Sequence, residues 1–237
     1  MCEITPINIP KNMKKDDFPP AINKKFDEYM RPNWLACVYA PTTGGKTTLA
    51  LKTLNLNGNF DDLYIFCKDP DEEIYRYVKK KLGDRCIISD DMNELPEVQE
   101  LDENKQHMII FDDVLVVSKK EIDKMTKFFS IGRKHGCSMW LLTQNFFSVP
   151  PKIRRQITHM FIFKLRSIPD LMKVLREFSI SGDGKDKETK EYNKKLLDMY
   201  NTSLTTPENN NGFFMINLKP GAKYMFNNNL LSHFENF

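Results

Sequence analysis

A short glycine-containing segment between a predicted strand and a predicted helix constrains this chain most strongly. The apolar run LACVY at residues 35–39 is typical of a buried strand, and helical periodicity begins at Lys46. Between them, residues 40–47 read Ala-Pro-Thr-Thr-Gly-Gly-Lys-Thr. Backbone N–H groups at the start of a helix attract phosphate. The segment therefore predicts a phosphate-binding loop, although Ala40 stands where the pattern G-x-x-x-x-G-K-[ST] has glycine.

The side chains of this loop have distinct expected roles. Lys46 can reach the β- and γ-phosphates of a nucleotide, and the Thr47 hydroxyl can bind Mg²⁺. A chance Gly-Gly-Lys-Thr turn is the alternative, and the strand before it and the helix after it disfavour that alternative. The expected nucleotide-binding residues are Ala40, Pro41, Thr42, Thr43, Gly44, Gly45, Lys46, Thr47 and Thr48.

Short apolar runs and helical periodicity alternate along the rest of the chain. This alternation predicts an α/β fold with a mainly parallel sheet and helices on both faces. Near the end, residues 213–218 and 223–226 flank Lys-Pro-Gly-Ala, which predicts a β-hairpin with a type II turn. We expect one domain over residues 34–237, preceded by an N-terminal arm over 1–33. Further predicted strands cover residues 63–67, 86–88, 108–111, 139–142 and 160–163.

Composition and charge narrow the class of protein. Hydrophobic residues make up 41% of the 237 residues, which is enough for a core. The apolar runs are far shorter than the about 20 residues of a membrane helix, and the N-terminus lacks the apolar core of a signal peptide. We therefore expect neither membrane insertion nor secretion. Residues 119–155 carry a net charge of +7 and residues 61–113 a net charge of −9, which suits either a polyanionic partner or a solvated surface.

Two acidic residues follow the predicted strand at 108–111. Asp112 would stand at the end of a buried parallel strand, where ligands bind in such sheets. We expect it to hold Mg²⁺ directly or through water. Asp113 could polarise an attacking water molecule, or it could cap the following turn. Its position after the magnesium-binding acid favours catalysis.

A glutamine and an arginine flank the next strand, at residues 139–142. If this strand lies between the phosphate-loop strand and the Asp112 strand, Gln144 faces the γ-phosphate and can orient water. Arg133 ends the preceding helix, where it could complement the helix dipole or act as an arginine finger on a neighbouring subunit. We expect Arg133 at the edge of the sheet's active face.

The order of these elements resembles the FtsK–HerA superfamily of DNA-pumping P-loop ATPases. Residues 132–163 look closest to the DNA-packaging ATPases of poxviruses, giant viruses and virophages: Gly-Arg, a strand ending in Thr-Gln, a Pro-x-x-Ile-Arg segment and a final strand. Asp-Asp-Val at 112–114 matches the Walker B segment of that family. Arg154 matches a family arginine whose role lies either at the subunit interface or at phosphate. The family's roles carry over to Lys46, Thr47, Asp112, Asp113, Gln144 and Arg133.

This resemblance implies a RecA-like ATPase that uses ATP and Mg²⁺ and translocates double-stranded DNA into a capsid. It further implies a homo-oligomeric ring of five or six subunits, contacts with capsid or vertex proteins, and a location in the virion or in viral factories of the host cytoplasm. Three alternatives stay open: a nucleotide or nucleoside kinase, an ATP-gated capsid scaffold, and a helicase. Asp113 and Gln144 suit water activation better than kinase chemistry, because kinases exclude water.

Overall fold

The computed structural model describes residues 26, 28–58, 60–114, 118–177, 187–205, 212–219, 225–228, 230 and 234. The strands are β1 (Leu35–Tyr39), β2 (Asp62–Cys67), β3 (Cys86–Ser89), β4 (His107–Asp112), β5 (Cys137–Thr143), β6 (His159–Phe163), β7 (Phe213–Asn217) and β8 (Phe226–Asn227). The α-helices are α1 (Lys46–Asn57), α2 (Glu73–Leu82), α3 (Lys119–Ile131), α4 (Pro151–Arg154), α5 (Ile168–Glu177) and α6 (Lys187–Thr205).

All of these strands belong to one sheet, in the order β3-β2-β4-β5-β1-β6-β7-β8. The strands from β3 to β6 run parallel, and β7 and β8 add antiparallel pairs at one side. Every residue of β4 and β5 is buried, as expected for strands covered on both faces. The predicted mainly parallel sheet is confirmed, and β5 lies between β4 and β1 as the interpretation of Gln144 required.

Helices cover the two faces of the sheet, because successive side chains of each strand point to opposite faces. Along β4, Ile109 and Phe111 join one core cluster, which also holds apolar side chains of α3, α5 and α6. Met108 and Ile110 join a second cluster with apolar side chains of α1 and α2. None of the helices in the described part of the chain is long and apolar enough to cross a membrane.

Residues near both ends of the described part of the chain pack against the sheet or extend it. Phe26 and Met30 are fully buried within the α1 and α2 face, so this part of the predicted arm packs against the domain. At the other end, Ile216 pairs with Phe226 in an antiparallel ladder, which agrees with the predicted hairpin. The expected turn at 220–221 lies outside the described residues.

Candidate active site

The phosphate loop connects the carboxyl end of β1 to the first turn of α1. Gly45 caps the helix with a φ of 93°, a conformation that favours glycine because it lacks Cβ. A Cβ on Gly44 would lie 2.9 Å from the Cβ of Ala40 and 2.9 Å from the carbonyl oxygen of Pro41. Glycine at 44 therefore makes room for the Ala40 methyl group. Ala40 itself is buried and does not adopt a positive φ, so the loop does not need glycine at that position.

The predicted magnesium ligands lie next to each other at the carboxyl edge of the sheet. The Thr47 hydroxyl donates to Oδ2 of Asp112 at 2.5 Å. Asp112 is only 8% exposed, and burial raises the pKa of its carboxyl group, while the hydrogen bonds it accepts from Thr47 and Tyr75 act in the opposite direction. A hydroxyl beside a carboxylate is the oxygen donor set that Mg²⁺ prefers. Thr47 and Asp112 therefore fit the ion.

Asp113 and Gln144 form a network that reaches the phosphate loop. The Gln144 amide nitrogen Nε2 donates to Oδ2 of Asp113 at 2.6 Å, and the Gln144 backbone N–H donates to Oδ1 at 3.1 Å. The Thr42 hydroxyl donates to Oε1 of Gln144 at 2.7 Å. Lys46 Nζ lies 3.4 Å from Oδ2 of Asp113. One glutamine thus links the second acid to the loop that would surround the phosphates.

The strand order explains why these residues meet. Asp112 pairs with Leu142 across the ladder from β4 to β5, and Tyr39 pairs with Thr143 across the ladder from β1 to β5. The carboxyl ends of three neighbouring parallel strands therefore converge. Asp113 leaves β4 with a φ of 52°, which is rare outside glycine although aspartate and asparagine tolerate it better than most residues. This turn places the Asp113 carboxylate over Gln144.

Arg133 lies at the opposite edge of the sheet from this network. It precedes β5, whereas Gln144 follows it, and β5 has seven residues. At a rise of roughly 3.3 Å per residue, the two positions are about 20 Å apart. The expectation that Arg133 stands at the edge of the active face is therefore wrong, because the two ends of a strand lie on opposite edges. From this position Arg133 does not reach a nucleotide held at the phosphate loop of its own chain.

Arg154 makes its contacts within its own chain. Its Nε atom lies 3.0 Å from Oε1 of Glu177. Its guanidinium carbon lies 5.5 Å from the ring centroid of Phe146 and 5.4 Å from that of Phe147, within the range of cation–π attraction. Arg154 thus joins the segment that follows Gln144 to α5.

Tyr75 is a site residue that the sequence pattern did not indicate. The apolar residues Ile74, Tyr77, Val78 and Leu82 recur at helical spacing, which predicts that Tyr77 faces the core. Tyr77 is 37% exposed, however, while Tyr75 is 2% exposed. The Tyr75 hydroxyl donates to Oδ2 of Asp112 at 2.6 Å. The sequence carried no signal for this role, because only the folded chain shows that the Tyr75 hydroxyl is buried against the sheet and therefore needs a hydrogen-bond partner.

Replacing Tyr75 by Phe should increase the Mg²⁺ concentration needed for half-maximal ATP hydrolysis by about tenfold. A hydrogen bond to a charged group contributes about 1.5–3 kcal/mol, and its loss leaves Asp112 less well oriented. The measurement is a Mg²⁺ titration of ATPase rate, with Tyr77→Phe as the control on the same helix. An unchanged Mg²⁺ titration in Tyr75→Phe would show that the hydroxyl does not position Asp112.

Comparison with known proteins decides the family. A sequence model of the poxvirus A32 protein family matches residues 62–201, a range that contains Asp112, Asp113, Arg133 and Gln144. The chain belongs to the poxvirus A32 family. The A32 match begins after the phosphate loop, and no curated protein gave a match to the chain.

Solved structures with the same fold come from archaeal viruses. This A32-family chain is similar to B204, described as the DNA-packaging ATPase of Sulfolobus turreted icosahedral virus, with a TM-score of 0.52, 12% identity, and coverage of 80% of this chain and 94% of that one. It is similar to B204 of Sulfolobus turreted icosahedral virus 2 in complex with sulfate, with a TM-score of 0.53, 14% identity and coverage of 80% and 94%. For the same protein in complex with AMPPCP, the TM-score is 0.50 and the identity 13%, and the match covers 79% of this chain and 94% of that one. The P-loop ATPase fold and the family resemblance are both confirmed.

Proposed function

We propose that this A32-family chain is an ATP-hydrolysing motor that translocates double-stranded DNA into a viral capsid. The observation that carries the proposal is the network in which Gln144 links Asp113 to Thr42 of the phosphate loop. An acid and a neutral amide at this edge can hold a water molecule in line with a γ-phosphate. Family membership supports this assignment, as does the fold shared with proteins described as packaging ATPases.

Each residue of the site has a distinct role in the proposed hydrolysis. Lys46 and the loop backbone would bind the phosphates, and Thr47 with Asp112 would hold Mg²⁺, which would supply positive charge beside the phosphates. Lys46 now lies beside Asp113. When its ammonium turns to the phosphates, the Asp113 carboxylate keeps its hydrogen bonds from Gln144 and can accept a proton from water. Gln144 orients that water, and Arg133 stabilises the transition state from a neighbouring subunit.

The same proposal assigns the partners and the location. The chain would act as a homo-oligomeric ring of five or six subunits on double-stranded DNA, with capsid or vertex proteins as further partners. It would work in the virion or in viral factories in the host cytoplasm. A kinase is the less favoured function, because Asp113 and Gln144 together are suited to activate an attacking water molecule. An ATP-gated scaffold has no use for Asp113, and a helicase would use the same core on single strands.

Double-stranded DNA should stimulate ATP hydrolysis by the wild-type protein and should bind without sequence preference. Lysine and arginine contacts to DNA phosphates release counterions, so affinity should fall steeply with salt. We expect the basic stretch 119–155 to contribute, although Lys124 and Lys127 already pair with Glu97 at 3.6 Å each. The measurements are ATPase rate with and without DNA, DNA affinity from 50 to about 200 mM salt, and solution mass. Lys46→Ala is the control for hydrolysis at this site.

A DNA complex that is insensitive to salt, or one that depends on a particular sequence, would contradict a packaging motor. Phosphoryl transfer to a nucleoside without hydrolysis would assign the kinase instead. Stimulation by single strands alone would assign the helicase.

A further inference from the structure

Three cationic residues lie at the amino edge of the sheet, the edge where β1 and β5 begin. Arg31 precedes β1, Arg133 precedes β5, and Lys219 follows β7, which runs antiparallel to its neighbour β6. Lys219 Nζ donates to the carbonyl oxygen of Arg31 at 3.3 Å. The Asn33 side chain, between Arg31 and β1, donates to the carbonyl oxygen of Arg133 at 3.1 Å. Contacts between segments far apart in the sequence thus place these three residues near one another, and the charges of Arg133 and Arg31 act on Lys219.

No carboxylate forms an ion pair with these three residues in the part of the chain that the structure describes. This arrangement disfavours the charged form of Lys219. Burial together with the charges of Arg133 and Arg31 lowers the pKa of Lys219 to about 8. His159 also lies near Lys219; it is fully buried, and its pKa is lowered to about 3, mainly by burial. Among the described residues, the cluster therefore holds like charges and no paired anion.

The carboxyl edge of the sheet carries the opposite charge. The loop after β2 exposes Asp69, Asp71 and Glu72, and the segment after β3 exposes Asp90 and Asp91. These acidic residues share the carboxyl edge of the sheet with the phosphate loop, although β4 and β5 separate β2 from β1, and a bound nucleotide would add the charge of its phosphates to that edge. The two edges are complementary, so a copy of the chain placed head to tail brings the cationic cluster to the nucleotide edge of the next copy. Repeating that heterologous contact with closure generates a ring.

We infer that Arg31, Arg133 and Lys219 form the second half of the ATP site, which binds the phosphates of the nucleotide held by a neighbouring copy of this chain. The inference rests on the proposed function and extends it, because it adds Lys219 and Arg31 to Arg133. An anion at this place would relieve the repulsion among the three cations. Ring assembly and hydrolysis are thereby coupled, since the site is complete only across the interface.

The test uses Lys219→Gln, Lys219→Arg and the control Lys190→Gln, which removes an exposed lysine of α6. Lys219→Gln should keep the nucleotide affinity of the unassembled chain, measured at low protein concentration, and lose turnover by about tenfold or more, as for the loss of a hydrogen bond to a charged group. Mixing it with Lys46→Ala should restore activity above the sum of the two, once subunit exchange has been shown. Mixed interfaces then contain an intact Lys219 beside an intact Lys46.

The variant Lys219→Arg adds a second readout, the pH dependence of the rate, which a purely structural role for Lys219 would not change. Because the charge of Lys219 is lost as pH rises through about 8, the wild-type rate should fall between pH 7 and 9, and the rate of Lys219→Arg should fall less. Full activity of Lys219→Gln, or lost activity with no recovery in mixtures where Arg133→Ala does recover, would overturn the inference and leave the proposed function intact.

A second measurement does not depend on hydrolysis. The mass of wild type and Lys219→Gln is determined by sedimentation with and without the non-hydrolysable analogue AMPPCP. The analogue should promote association of the wild type and of Lys219→Arg, and should do so much less for Lys219→Gln. Equal association of all variants would overturn the inference even if the protein proved not to be a DNA motor.

Discussion

Arg133→Ala should retain ATP affinity and lose turnover by about 1,000-fold or more, the range measured for arginine fingers. The reason is its position about 20 Å from the site in its own subunit. At that distance Arg133 cannot contribute to binding there, but it can reach the nucleotide of a neighbour. The measurements are nucleotide affinity and ATPase rate for the purified variant. Lys134→Ala is the matched control, because Lys134 is the next residue in the same short helix and is equally exposed.

Mixing the Arg133 variant with Lys46→Ala distinguishes action in trans from a local structural role. Each variant alone is inactive for a different reason. In a mixed ring, a Lys46→Ala subunit supplies an intact Arg133 to a neighbour whose Lys46 is intact. We therefore expect ATPase rate to pass through a maximum as one variant is titrated against the other at fixed total protein. If the subunits exchange and no activity returns, Arg133 only complements the helix that it follows.

Asp113→Asn should bind ATP and Mg²⁺ nearly as wild type and hydrolyse ATP about 100-fold more slowly or worse, the range expected for loss of a general base. Asparagine matches aspartate in shape and tolerates the φ of 52° at this position. It keeps an oxygen to accept from Gln144, so the loop should keep its conformation. The lost function is acceptance of a proton from water. Single-turnover hydrolysis and equilibrium nucleotide binding measure the two effects separately.

Two further variants complete the Asp113 experiment. Asp84→Asn removes an exposed carboxylate away from the carboxyl edge and should hydrolyse ATP at the wild-type rate. Lys46→Ala should lose nucleotide binding itself, because the phosphates lose a point charge. A wild-type rate in Asp113→Asn would remove Asp113 from the base role and return it to capping the turn after β4.

Local sequence determined much of this site. Residues 40–47 identify the phosphate loop, because only a short run with glycine at fixed positions can wrap backbone N–H groups around a phosphate. An apolar run that ends at a polar residue, such as the run that ends at Asp112, predicted a strand. The polar residue marked the end of that strand where functional side chains lie. The order of these segments was enough to indicate the family.

Contacts between distant segments required the tertiary structure. Tyr75 reaches Asp112 across 37 positions of sequence, and its partner depends on how α2 lies on the sheet. Spacing alone did not distinguish Tyr75 from Tyr77, because an apolar period of three to four residues fits either tyrosine.

The residues that share the amino edge were likewise decided only by the folded chain. The strand predicted between Arg133 and Gln144 already implied that these two residues lie at opposite edges, and β5 confirms that strand. Lys219 joins Arg31 and Arg133 only because β7 runs antiparallel to β6 and so brings its end to the amino edge. Sequence encodes what each short segment can form, since dihedral preferences and periodicity are local. Which segments become neighbours depends on strand order and direction, and these are set by burying both faces of the whole sheet at once.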